Sequence, residues 1–124
     1  MAAIPPETIA WLASSGLVDE EVELAAVRTH VGGPMTWWLR LQRRGAVTTG
    51  DHISYRDERR RDDVALLVHE LVHVAQYRRL GKLRFLRQYF LELAKARGYS
   101  RRLPLEAPAY ERQAAARALL TPES

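Results

Sequence analysis

Two histidines four residues apart, with a glutamate directly after the first, are the residues best placed to do chemistry: His69, Glu70 and His73 in HELVH. On a helix, side chains at i and i+4 project from one face, about one turn apart. Both imidazoles then reach a single metal ion through one nitrogen each, at about 2.0–2.1 Å if the ion is zinc. Glu70 is offset by about 100°, too far round for an easy third ligand, but it flanks the position left open on the metal. From there its carboxylate takes a proton from a metal-activated water and later passes it to a leaving amine. Five residues thus encode two ligands and a general base. A lone helical histidine is more often a hydrogen-bonded core residue. Here two of only four histidines share this spacing, on the side of their helix away from its apolar stripe, and that pattern points to Zn2+.

Two imidazoles leave a catalytic zinc one protein ligand short. The chain has no cysteine, so the third donor must be another His or a carboxylate. Glu106, in RRLPLEAPAYERQ, is the first choice, because it opens a last helix on a chain that has turned back on itself. Glu111 is the rival, about 140° further round the same helix. Glu92 ranks lower, since its neighbours suggest a solvent-facing position. Gln76 lies on the His face, where it either hydrogen-bonds near the metal or is a plain polar helix residue. Tyr99 and Tyr110 offer hydroxyls for an oxyanion, although amphipathic packing with a wet hydroxyl explains them more simply. His52 reads as a surface histidine at a strand edge.

The elements that must position these groups follow from periodicity and punctuation. Val64, Leu67, Val68, Leu71, Val72, Val74 and Ala75 form one broad apolar face, which predicts a helix from about Asp63 to Leu80 ended by Gly81. With histidines in front and aliphatics behind, that helix is expected to be covered on both sides. Pro5 and Pro6 start a short opening helix that stops at Gly16, and Asp19 caps a second helix over EEVELAAVRTH. TWWLRLQ, AVTT and HISYR predict a small antiparallel sheet of two or three strands, with Trp37 and Trp38 on its two faces. RDERRRDD, residues 56–63, reads as a loop with Asp62 or Asp63 capping the HELVH helix. Lys82 to Arg97 forms a further helix stopped by Gly98, and Pro104 opens the last one, which runs to about Leu120. The expected class is α+β: a small antiparallel sheet packed with helices, the HExxH helix, then two C-terminal helices.

A chain of 124 residues fits one domain spanning 1–124, and 47% hydrophobic with 27% charged residues excludes intrinsic disorder. The net charge of +4 favours acidic partners only mildly. The clusters Arg43–Arg44, Arg59–Arg61 and Arg101–Arg102 come with no nucleic-acid motif, so they read as solvated surface. His69, Glu70 and His73 interrupt the longest apolar run, which therefore predicts no membrane span. The opening MAAIPPETIAWLASSG predicts no secretory signal, hence a cytoplasmic protein or one exported by another route.

The run AVTTGDHISYRDERRRDDVALLVHELVHVAQYRRLG resembles the metallopeptidase-like domain associated with extracellular contractile injection systems, broadly a gluzincin. The shared features are the strand A-x-T-x-G-x-x-I, here Ala46, Thr48, Gly50 and Ile53, and the helix LL-x-HE-x-x-H-V-x-Q. In this chain the helix residues are Leu66, Leu67, His69, Glu70, His73, Val74 and Gln76. PLEAPAY, residues 104–110, is similar to the segment that supplies the glutamate ligand, so the likeness spans about residues 45 to 113. It implies a minimal gluzincin-like fold, with His69, His73 and Glu106 as zinc ligands, Glu70 as base, and hydrolysis of a peptide or protein substrate. It also implies that the strand Ala46–Tyr55 edges the cleft and pairs with an extended peptide. Pro108 stands where a polar or acidic residue is expected, so the partner that orients a ligand histidine is either missing or supplied by Tyr110. The alternative is a zinc-binding scaffold or cargo module without peptidase activity; a nucleic-acid-binding protein ranks last.

Overall fold

Pro6 presets the first turn of helix α1, Pro6–Ser15, and Gly16 closes it in the left-handed conformation. The computed structural model describes residues 2–32, 39 and 45–121. Apart from Leu39, the expected strand TWWLRLQ, with Trp37 and Trp38, lies outside the described residues, as does Arg43–Arg44.

The second helix expected over EEVELAAVRTH does not form. A short 3-10 turn, Leu24–Ala26, leads instead into strand β2, Arg28–Val31. Val27, Thr29 and Val31 alternate at the strand period, and Val27 and Thr29 are buried. β2 is hydrogen-bonded on both sides, to β1 (Ala2–Ala3) and to β4 (His52–Tyr55). That pairing outweighs the helical propensity of the Glu, Leu and Ala residues just upstream.

The fold class is α+β, as expected, but the sheet is mixed rather than antiparallel. β3 (Ala46–Thr49) and β4 form an antiparallel hairpin turning at Gly50 and Asp51, as the separate segments AVTT and HISYR predict, so the one strand Ala46–Tyr55 implied by the family likeness is two. β4 then inserts beside β2 in parallel, giving the order β1-β2-β4-β3 and leaving β3 at an edge of the described sheet. The register aligns Thr29, Ile53 and Thr48 across three strands, and all three are buried.

The polar run after the sheet is not wholly loop. Asp57 caps a single helical turn, α2 (Glu58–Arg61), by accepting the Arg60 N–H at 2.9 Å. Asp63 then caps α3 (Val64–Leu80), accepting the Leu66 N–H at 3.2 Å, whereas Asp62 ends α2. α3 is the central element: every residue from Leu67 to Tyr77 is buried, histidines and Glu70 included. Its aliphatic residues share a core with Ile4, Leu12, Val27, Ile53 and Tyr55. A single residue, Gly81, separates α3 from α4 (Lys82–Ala96), and its φ of 81° is one that a side chain would strain. α5 (Ala107–Leu120) returns along α3, its buried positions the small Ala109 and Ala116. The last helix therefore starts three residues after Pro104, with Pro108 in its first turn, where no intrahelical N–H is lost. Among the described residues no helix is long and apolar enough to cross a membrane.

Ile53, 0% exposed in the interior strand β4, is the test of this core. Ile53→Ala is expected to cost about 2–5 kcal/mol. In urea melts that cost should appear as a lower midpoint with an unchanged slope.

Candidate metal centre

The i, i+4 spacing on α3 aims both imidazoles into one buried space, with ring centroids 5.2 Å apart. The chain supplies a carboxylate there from a distant segment. Glu106, at the N-cap position of α5 and 0% exposed, places Oε1 2.9 Å from His73 Nε2 and 3.3 Å from His69 Nε2. Glu70 is also close, with Oε2 3.6 Å from His69 Nε2. His69, Glu70 and His73 each bring one donor atom within 4.8 Å of the others, a buried group able to hold a metal ion. Of the two carboxylates, Glu106 lies nearer the point where the rings converge. Glu111 is exposed, and Glu92 reaches the site only through the backbone.

Each ring is oriented from behind. Gln76 donates its amide N–H to the Leu105 carbonyl at 2.9 Å, which turns its Oε1 toward His73 Nδ1, also at 2.9 Å. Gln113 Oε1 lies 2.8 Å from His69 Nδ1. An amide oxygen only accepts, so both Nδ1 atoms carry the proton and a neutral ring turns a lone pair outward at Nε2. Two such lone pairs and a carboxylate oxygen facing one another in a buried space repel unless a cation lies between them. Without a metal, a proton fills that role. Burial works against the charges, but hydrogen bonds with His69 and His73 outweigh it and hold the Glu106 carboxyl well below the usual carboxylate range. Likewise burial opposes a charged His73, while its bond to Glu106 prevails and raises its pKa.

A metal ion satisfies the same three atoms. Ligand atoms around a tetrahedral zinc at about 2.0–2.1 Å stand roughly 3.3 Å apart. The 3.3 Å spacing from Glu106 to His69 equals that value and the 2.9 Å spacing to His73 is a hydrogen-bond length, shorter than it, so the donor set fits a divalent metal such as zinc in type.

Four contributors were not legible beforehand in these roles. Thr48, on edge strand β3, donates its hydroxyl to Glu70 Oε1 at 3.0 Å and so fixes the carboxylate beside the rings. Tyr89 donates to Glu106 Oε2 at 2.8 Å, leaving Oε1 for the histidines. Glu92 is half-buried rather than solvent-facing, and its Oε1 accepts the Leu105 N–H at 2.9 Å. The Leu105 peptide is thus held at both ends, by Glu92 and Gln76, directly before Glu106. The available signal was spacing: Phe85, Tyr89 and Glu92 share a face of α4, and Tyr110 and Gln113 share one of α5. Gln113, not Tyr110, orients His69; the Tyr110 ring packs edge-on against it, centroids 4.5 Å apart. The Tyr110 hydroxyl bonds that of Tyr99, and Arg101 lies over the Tyr110 ring. His52 is exposed on interior strand β4, not at an edge, and its Nδ1 lies 2.9 Å from His30 Nε2.

A family model described as the eCIS core domain matches residues 19–81, just over half of the chain. The chain belongs to the eCIS core domain family. That membership ties it to extracellular contractile injection systems. The eCIS core match takes in β2, β3, β4 and the whole of α3, with His69, Glu70 and His73. It stops at Gly81, so Glu106 and PLEAPAY, part of the motif likeness reaching residue 113, lie beyond it. No curated protein and no solved structure matches the chain.

The two glutamines give a direct check on ring orientation. Gln76→Ala and Gln113→Ala are each expected to weaken divalent-metal binding by about 10–100-fold. Titration calorimetry reads this, with circular dichroism to verify the fold. Unchanged affinity in both variants removes the glutamines from any orienting role.

Proposed function

We propose that this eCIS core domain protein is a zinc-dependent peptidase, with His69, His73 and Glu106 as ligands and Glu70 as general base. The observation that carries the reading is the meeting of two Nε2 lone pairs and a buried carboxylate oxygen at one point, beside a second carboxylate held by Thr48. Zinc, when bound, supplies a Lewis acid that acidifies water and polarises a carbonyl. The chain's own residues do the rest. Gln76 and Gln113 keep the imidazoles in the tautomer that turns Nε2 inward. Glu70, anchored through Oε1, has Oε2 beside the rings to accept a proton from the attacking water and deliver it to the leaving amine. β3, at the edge of the described sheet and tied to Glu70 through Thr48, supports an extended substrate by strand addition.

The second reading is a metal-holding scaffold or cargo module of an injection system, with no peptidase activity. It is favoured by a family match that covers the ligand helix and omits the segment carrying Glu106. One set of measurements separates the two. Purified protein should carry about one zinc per chain by elemental analysis, and His73→Ala should lose it. Glu70→Gln should keep its zinc, yet hydrolyse an unfolded protein at least about 100-fold more slowly than wild type. Zinc binding with no cleavage by wild type selects the scaffold; unchanged metal content in His73→Ala excludes both readings of the site.

A further inference from the structure

The metal centre is the floor of a larger space. A cleft of about 590 Å³ opens between β3, at an edge of the sheet among the described residues, and helix α4, with Glu70, His73 and Glu106 at its base. That volume is within the range of small-ligand sites, about 300–1,000 Å³. Its walls are apolar and aromatic: Val47 from the strand, Tyr77 from α3, and Phe85, Leu86, Phe90 and Leu93 from α4. Tyr77 stacks on Phe85 at 3.9 Å between centroids, and Phe85 lies 5.9 Å from Tyr89, so one wall is a ladder of rings. On the floor, Glu106 is engaged by two histidines and Tyr89, and Glu70 is held through Oε1 by Thr48.

The apolar wall continues out of the cleft. Leu83, Leu86, Phe90 and Leu93 follow one another at steps of three and four along α4 and therefore share a face. Leu83 is 83% exposed and Phe90 63% exposed, although a large side chain left in water is normally scattered singly. Phe85 is the one fully buried residue of α4, and Glu92 and Tyr89 tie this helix to Leu105 and Glu106. The same helix thus braces the metal centre with one face and presents an apolar stripe with another.

We propose that the cleft selects an extended polypeptide segment carrying a large apolar side chain, leucine or an aromatic, next to the peptide bond held over the metal centre. This specificity rests on the peptidase reading for its placement beside a scissile bond. β3 offers backbone pairing to the extended segment, and the α4 wall takes the side chain that pairing turns toward it. A Lys, Asp or Glu side chain at that position loses its hydration against the carbon of the α4 wall. Leu83, the stripe residue outside the cleft lining, gives a second apolar residue of the same segment a place to lie.

The test uses zinc-loaded Glu70→Gln protein, immobilised, and the peptides of a defined proteolytic digest of reduced serum albumin, a pool that offers every side chain. Retained peptides are sequenced. Leucine, phenylalanine and tyrosine should be enriched about tenfold or more over alanine at one position, with charged residues depleted there. Phe90→Lys in the same background, at a position too exposed to endanger the fold, should abolish the enrichment. No retention, unbiased retention, or enrichment that survives Phe90→Lys overturns the proposal. Cleavage is scored separately with wild type: apolar peptides bound by the variant but left uncut by wild type refute the peptidase and leave the cleft's selectivity standing.

Discussion

The buried carboxylate of Glu106 is the constraint around which the molecule is arranged. A carboxylate with no exposed surface is tolerable only when every lone pair has a partner. Here Oε1 faces two imidazole nitrogens and Oε2 accepts from Tyr89. Satisfying that one group requires α3 to present both histidines inward, α4 to bring Tyr89, and the turn before α5 to arrive at the right depth. Three helices are therefore locked together by polar groups at a point where an ordinary domain of this size would place aliphatic carbon. The apolar packing of α3 against the sheet supplies the stability that lets the polar side be built.

The supporting contacts form a second layer with a plain logic. Gln76 serves two groups at once, the His73 ring and the Leu105 carbonyl, so the orientation of that ring and the position of the chain that carries Glu106 are coupled. Glu92 completes the hold on Leu105 from the other side. Thr48 brings the sheet into the same arrangement, since its hydroxyl fixes Glu70 while its strand borders the cleft. Glu70, the two imidazoles, Glu106 and the cleft wall are thereby set relative to one another by hydrogen bonds of 2.8 to 3.0 Å rather than by loops.

The match to the eCIS core domain family covers β2, β3, β4 and α3, and the two C-terminal helices add what that portion lacks. α5 and the turn before it contribute Glu106, Gln113 and the Tyr110 ring. α4 contributes Tyr89, Glu92 and the apolar wall of the cleft. The matched stretch thus holds the two histidines and Glu70, whereas the carboxylate between the rings, one ring's orienting amide and most of the cleft lie after it.

Local sequence determined the parts governed by short-range rules. Helix periodicity located α3, and the i, i+4 rule set both histidines on one side of it. Gly16 and Gly81 marked helix ends, and Asp63 marked a start, because caps and left-handed residues act within a few positions. The β3–β4 pair is visible as the β-branched segments AVTT and HISYR, and only the family likeness runs them together as one strand. What the sequence left undecided depended on partners far along the chain. Residues 28–31 became a strand because β4 hydrogen-bonds to them, and the parallel pairing of β2 with β4 follows from that insertion. Glu106 was separable from Glu111 only in three dimensions, where one is fully buried between imidazoles and the other faces solvent. Thr48, Tyr89, Glu92 and Gln113 are ordinary polar residues by composition. Their roles arise from hydrogen bonds across 13 to 44 residues of chain, and only the packing of α3, α4, α5 and the sheet brings those partners within reach.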